Sequence, residues 1–315
     1  MVQYSLKGSE RLDWTNRIQK AIDYIEGNLT GDISYEEIAK QSYSSSFHFQ
    51  RVFSVFCGCT LGEYIRSRRL TMAGKEVQNG DKKIIDIALK WGYENPDSFT
   101  RAFVKFHGIT PSEARRGNAS LKAFHPLKLK ISLDGGERMD WRIEEKGSMI
   151  LVGYKQRFAG APLGTKRAEQ EEKMFTTTRA KQWLLRGASS DYYTDYCIIQ
   201  NMDDDGYDFY IANELNEWTR KNLYHKEITG VDFMDKMGFE EIRIPEQTYV
   251  VFETRRCSQP IEEYIRIRQN LVTDWMPSSG YQFANAPELS LLHWRPIGDK
   301  NSRFVEVWIP IEKAI

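Results

Sequence analysis

Apolar residues in the first third of the chain recur with a helical period. Residues 13–28 place Trp14, Ile18, Ile22 and Ile25 on one face and close on Gly27, which predicts an amphipathic helix. Further on, an aromatic stripe at Phe49, Phe53 and Phe56 returns 50 positions later as Phe99, Phe103 and Phe106. The match extends to Arg51, Gly58, Thr60, Glu63 and Arg66, which fall on Arg101, Gly108, Thr110, Glu113 and Arg116. Upstream, Ile38-Ala39 matches Ile87-Ala88 with a one-residue slip. Each copy predicts a short helix, a tight turn and a second helix that buries one face.

Local signals mark the same boundaries in both copies. Ser34 with Glu37, Thr60 with Glu63 and Thr110 with Glu113 have capping-box spacing, Pro111 suits a first helical turn, and Gly58 and Gly108 stop the helices before them. From Thr60 to about Asn79 the pattern predicts one helix with Leu61, Tyr64, Ile65, Leu70 and Val77 inward. About 20 residues at roughly 1.5 Å each span about 30 Å, close to the roughly 34 Å of one turn of B-DNA. A lone unit of this kind is more readily an αα-hairpin that only packs. Two in register, with matched arginines and such a spacer, favour a pair that reads successive major grooves.

Residues 117–138 lack a helical period and carry Gly and Pro, which predicts a linker between domains at 10–116 and 139–315. A second duplication follows. Arg142-Ile143-Glu144-Glu145 with Met149–Tyr154 resembles Arg243-Ile244-Pro245-Glu246 with Tyr249–Phe252. Each is followed by a helical stretch (165–186 and 260–275) and two strand-like runs. The runs are Tyr196–Asn201 and Phe209–Leu215 in one copy, Glu288–Trp294 and Phe304–Ile311 in the other. The expected fold class is therefore two domains. The first is all-α, with two helix-turn-helix modules joined by a long helix; the second is α+β, a duplicated strand-helix-strand-strand unit with a ligand crevice at the junction.

In the last run, alternation sets Phe304, Glu306 and Trp308 on one face and Val305, Val307 and Ile309 on the other. The valine face is expected against helices. A carboxylate between aromatics suits an organic cation, with a solvated surface strand as the equal alternative. In the first copy Ile211 is matched to Glu306, which leaves one acidic site.

Composition adds limits. The chain has 315 residues, 41% apolar and 28% charged, with four cysteines. No apolar run is long enough to span a bilayer, Met1–Ser5 does not open a signal peptide, and a reducing cytoplasm is expected. A net charge of zero hides 21 Lys and Arg against 16 Asp and Glu up to residue 138, and 23 against 28 beyond it. The basic half coincides with the repeat, as a DNA-binding half would. Cys57-Gly58-Cys59 has no second Cys/His pair nearby, so structural thiols are expected. Asp203-Asp204-Asp205-Gly206 suits a hairpin turn better than a calcium loop. No metal, cofactor or catalytic constellation is called for.

On the first reading helix, Ser46, Phe47, Gln50 and Arg51 are expected to face bases, and Asp97, Thr100 and Arg101 on the second. Arg51 has Glu63 as an alternative partner, and Phe47 the core as an alternative place. Ser44, Thr60, Lys90, Asn95, Lys105 and Thr110 are expected beside phosphates.

Residues 10–116 resemble the AraC/XylS family of bacterial transcription regulators. The likeness rests on Gly92-Tyr93, Phe99-Thr100-Arg101-Ala102-Phe103 and Gly108-Ile109-Thr110-Pro111-Ser112-Glu113, and Ser46–Phe53 resembles the corresponding helix of the MarA/Rob subgroup. Asp97 departs from that pattern. Residues 139–315 resemble the GyrI-like effector-binding domain of Rob-like regulators. This likeness rests on Met139–Lys146, Asp274–Tyr281, Pro287-Glu288-Leu289 and Glu306–Ile311. It implies double-stranded DNA and RNA polymerase as partners, and a lipophilic or cationic effector held by Glu306 with Phe304, Trp308, Trp275, Tyr281 and Tyr249. Ser290 stands where members often have a second glutamate. Rival readings of this half are a hydrolase using Glu306 with Tyr281 or Tyr249, and a protein-contact module without ligand.

Overall fold

The computed structural model describes residues 8–42, 44–116, 119–128, 140–224, 232–258, 260–294 and 299–314. They form two compact units, a mainly helical one of residues 8–53 and 59–128 and an α+β one of residues 140–314 together with Ser54–Gly58.

The helical unit runs α1 (Gly8–Gly27), α2 (Tyr35–Gln41), α3 (Ser46–Cys57), α4 (Leu61–Asn79), α5 (Ile84–Lys90), α6 (Pro96–His107) and α7 (Pro111–Arg115). Ile18, Ile22 and Ile25 of α1 are buried; the Trp14 side chain lies outside the described residues. The predicted caps form. Thr60 and Thr110 each close a capping box with Glu63 and Glu113, and Ser34 accepts from the Glu37 amide. Gly58 (φ +67°) and Gly108 (φ +87°) take the left-handed conformation that ends α3 and α6. In each repeat the first two stripe aromatics are fully buried, Phe49 with Phe53 and Phe99 with Phe103, while Phe56 and Phe106 are partly covered. Ring contacts run from Phe49 to Phe53 (5.8 Å) and on to Tyr64 of α4 (5.6 Å). In the second copy they run Tyr93–Phe99–Phe103–His107 at 5.3, 5.4 and 4.3 Å.

Glu26 ties α1 to α4. Its carboxylate accepts from Arg68 Nε (2.8 Å), Arg68 Nη2 (2.7 Å) and the Tyr64 hydroxyl (2.7 Å). Of the expected linker, residues 119–128 form no helix or strand. They run beside α4, where the Phe124 amide donates to Thr71 and Gln78 donates to the Ala119 carbonyl.

The second unit contains β1 (Trp141–Lys146), β2 (Met149–Ala159), α8 (Thr165–Thr177), α9 (Arg179–Ala188), β3 (Thr194–Gln200) and β4 (Gly206–Glu214). There follow α10 (Glu217–Leu223), α11 (Phe233–Met237), β5 (Glu240–Ile244), β6 (Gln247–Glu253) and α12 (Ile261–Asn270). A π-helical turn (Leu271–Trp275), α13 (Met276–Ser279), β7 (Tyr281–Phe283), β8 (Glu288–His293) and β9 (Phe304–Lys313) complete it. One antiparallel sheet has the order β1-β6-β9-β8-β3-β4-β2-β5, with β7 beside β9. The order reads the same from both ends once β1, β6, β9 and β8 are replaced by β5, β2, β4 and β3. The duplicated units therefore meet at the β3–β8 pair, each capped by the other's edge strand.

Register fixes the faces. Glu306 lies opposite Leu291 and Glu253, and Trp308 opposite Leu289 and Val251. These residues share one face with Tyr249, Ile198, Tyr210 and Leu151. The other face carries Val305, Val307, Ser290, Cys197 and Ile211, with Leu185 of α9 and Met174 of α8 in the same core as Cys197 and Ile211. The valine side thus faces helices, as expected. Ile211 shares that side, so it is not the counterpart of Glu306; a one-residue slip in matching the repeats exchanges the faces.

Candidate functional site

On α3 and α6 the expected base-reading positions separate. Asp97 and Arg101 are exposed, and Ser46, Phe47, Gln50 and Thr100 are partly exposed. Gln50 Nε2 donates to Ser46 Oγ at 3.2 Å. Arg51 departs from expectation: it is 5% exposed, against the open Arg101 at the matching position. Helical spacing fixes the face of a residue but not what lies over it.

The expected phosphate positions also divide. Lys105 is exposed. Asn95 caps α6 by accepting from the Ser98 amide at 2.8 Å, and the Ser44 hydroxyl bonds to Ser42 at 3.0 Å. Lys90 pairs with Glu76. Thr60 and Thr110 spend their oxygens on the Glu63 and Glu113 amides at 3.1 and 3.2 Å, and Thr60 is only 5% exposed. Thr60 caps α4 and is too covered for its hydroxyl to donate to a phosphate, so its burial, and not the bond it accepts, sets it apart from the expected contact.

In the second unit Glu306 is engaged on both oxygens, by Arg142 Nη2 at 2.6 Å and His293 Nε2 at 3.2 Å. Burial pushes its pKa up, but the His293 and Arg142 bonds outweigh that and hold it down at about 2. Phe304 stacks on His293 (4.2 Å) and lies under Arg256. Trp308 meets Tyr249 at 5.7 Å, with Arg142 and Lys146 over its ring. Tyr249 donates to the Pro287 carbonyl at 3.2 Å. Trp275 and Tyr281 do not join this group. They stack on each other at 6.0 Å, and Trp275 packs on Phe252 and Trp141, whose strand positions face away from Glu306. The six expected effector residues are therefore split between the two faces, since strand parity is set by register and not by aromatic content.

A cavity of about 80 Å³ lies on the helix face where the repeats meet. Arg167, Ala168 and Glu171 of α8 and Tyr264 of α12 form its walls; Cys197, Ser290 and Val305 form its floor. Arg167 is 4% exposed and donates to Glu171 Oε1 (2.7 Å), the Pro162 carbonyl (2.7 Å) and the Tyr264 hydroxyl (2.6 Å). Ser290 donates to the same hydroxyl at 3.3 Å. Alongside, Arg268 and Glu288 form a pair at 2.6 Å with side chains 3% and 2% exposed. Sequence reading foresaw a crevice at the junction but not these residues. Their signal was the i, i+4 pair Arg167–Glu171 and the alternation that sets Ser290 on the face of Val307 and Val305 rather than that of Glu306. A wider hollow of about 320 Å³ lies in the helical unit beside Asp32, Tyr35, Arg66 and Arg69. Among the described residues no group of three or more His, Cys, Asp or Glu could hold a metal ion, and no helix is long and apolar enough to cross a membrane. Cys57 and Cys59 are half-buried and in no disulfide.

A helix-turn-helix domain model matches residues 38–117, and a GyrI-like small molecule binding domain model matches residues 139–312. The HTH-type transcriptional activator AarP of Providencia stuartii is 39% identical over 115 residues, 36% of this chain and 85% of its own length. The chain belongs to the AraC family of transcription regulators and carries a GyrI-like domain. The multiple antibiotic resistance protein MarA of Escherichia coli K12 is 32% identical over 112 residues, 35% of this chain and 88% of MarA. A solved AraC-type regulator from Chromobacterium violaceum is 26% identical, with 32% of this chain and 90% of that one covered at a TM-score of 0.31. This AraC-family chain is thus a DNA-binding transcription regulator with a small-molecule domain.

Proposed function

We propose that this regulator reads an asymmetric DNA site of two parts through α3 and α6, and that a small lipophilic effector seated between α8 and α12 changes the outcome. The observation that carries the DNA part is the repeated module with the same cap geometry in both copies and an open Arg101 on α6. The 19 residues of α4 rise about 28 Å between the modules, close to one helical turn of about 34 Å. The domains of this reading are residues 10–116 and 139–315, its place is the cytoplasm, and its protein partner at promoters is RNA polymerase. A binding role suits the second unit better than hydrolysis, because Glu306 is held by Arg142 and His293 and lies on the sheet face away from Tyr281.

Selection of bound fragments from a random duplex pool at near-physiological salt tests the DNA reading, with wild type and Arg101→Ala in parallel. The expected result is a two-part motif with parts about one turn apart, one part lost in the variant. A uniform loss over all sequences would make Arg101 a phosphate contact.

A further inference from the structure

The polar groups in and beside the crevice are matched in charge. Glu171 is taken by Arg167, and Glu288 holds Arg268. An organic cation entering here meets a carboxylate already neutralised and a buried guanidinium beside it; an anion meets Arg167 already paired and Glu171 next to it. Either ion would shed its hydration without gaining a free counter-charge. Hydrogen bonding is not balanced in the same way. The Tyr264 hydroxyl receives two donors, Arg167 Nη2 and Ser290 Oγ, and among the described residues gives its own proton to no acceptor. Arg268, 5.8 Å from the Tyr264 ring, lies outside the lining of the crevice and is held by Glu288. Apolar surface from Leu163, Phe175, Leu292 and Val305 surrounds this cluster.

We propose that the crevice takes a neutral ligand, an apolar ring bearing a hydrogen-bond-accepting oxygen such as an amide or ketone carbonyl, which receives the Tyr264 proton. The proposal rests on the crevice being the effector site, and it excludes the organic cations that a pocket carboxylate would select. A neutral acceptor takes the Tyr264 proton, and the ring lies against Leu163, Phe175, Leu292 and Val305.

Isothermal titration of the full chain with benzamide, benzoate and benzylammonium provides the test. Benzamide is expected to bind at least tenfold more tightly than either ion. Tyr264→Phe should weaken benzamide about tenfold, the worth of about one good hydrogen bond, and leave the ions unchanged. Ala168→Phe fills the cavity and should abolish benzamide binding. Benzylammonium or benzoate binding as well as benzamide, lost in Ala168→Phe, overturns the ligand class while the crevice stands. Benzamide binding that survives Ala168→Phe shows instead that the crevice is not the site. Absence of saturable binding by all three overturns the proposal, and the comparison among ligands on the wild-type chain holds even if Tyr264→Phe fails to fold.

Discussion

Thr60 is a position where a helix cap and a phosphate contact give opposite readouts. Thr60→Ala removes the oxygen that accepts from the Glu63 amide at 3.1 Å, and with it half of the capping box. The site is 5% exposed, so water cannot replace the lost acceptor and the amide is left short. Cap losses run at about 0.5–2 kcal/mol; burial places this one in the upper half, about 1–2 kcal/mol. The first turn of α4 carries the buried Leu61, Tyr64 and Ile65, so fraying there reaches the core of the first module. At roughly 4–8 °C in Tm per kcal/mol for a small domain, this is a drop of about 4–16 °C. Calorimetry of the full chain should show the helical unit melting lower by that amount, with Thr60→Ser close to wild type. DNA affinity measured well below Tm should keep its dependence on salt. An unchanged Tm, together with a salt slope smaller by about 0.9, would refute the cap argument and restore the phosphate role.

Two further perturbations test the folded scaffold. Glu26→Gln leaves the Arg68 guanidinium, 7% exposed, without its counter-charge; breaking such a partly buried pair should cost about 2–3 kcal/mol in urea unfolding. The double change Glu26→Leu with Arg68→Met should recover most of it, and equal destabilisation by single and double variants would show that the pair is not coupled. Glu306→Gln should cost about 1–2 kcal/mol at pH 7, less than a buried pair because Arg142 is 41% exposed. The Glu306 pKa is depressed on folding, from an ordinary 4.5 to about 2. Its contribution is therefore complete above about pH 4.5 and disappears as pH falls through 2, so wild type and variant should converge in acid. A gap that widens in acid would contradict the pairing with Arg142 and His293.

The helical unit was legible because its signals are local. A capping box needs only four consecutive residues, and a helix stop needs only Gly58 or Gly108 at positive φ, so spacing alone located both modules. The burial of Arg51 was not legible. It stands at the same repeat position as the open Arg101, and the difference depends on what covers each helix rather than on the helix itself. Thr60 shows a related limit: its hydroxyl could cap the helix, donate to a phosphate or do both, and spacing says nothing of how covered it is.

The sheet was legible at the level of strands and illegible at the level of faces. Alternation correctly grouped Phe304, Glu306 and Trp308, because period two is a property of the strand. Joining that group to Trp275 and Tyr281 required knowing which face the π-helical turn and β7 approach, and that is set by long-range register. The same uncertainty of one residue misplaced Ile211. It also hid the lining of the crevice, whose floor residues Cys197, Ser290 and Val305 come from three strands that only the order β9-β8-β3 brings side by side. A site made at a pseudo-two-fold junction draws one wall from each repeat, α8 from the first and α12 from the second. Its chemistry therefore lies in residues nearly 100 positions apart, Arg167 and Tyr264, which no motif spacing joins but a single 2.6 Å bond does.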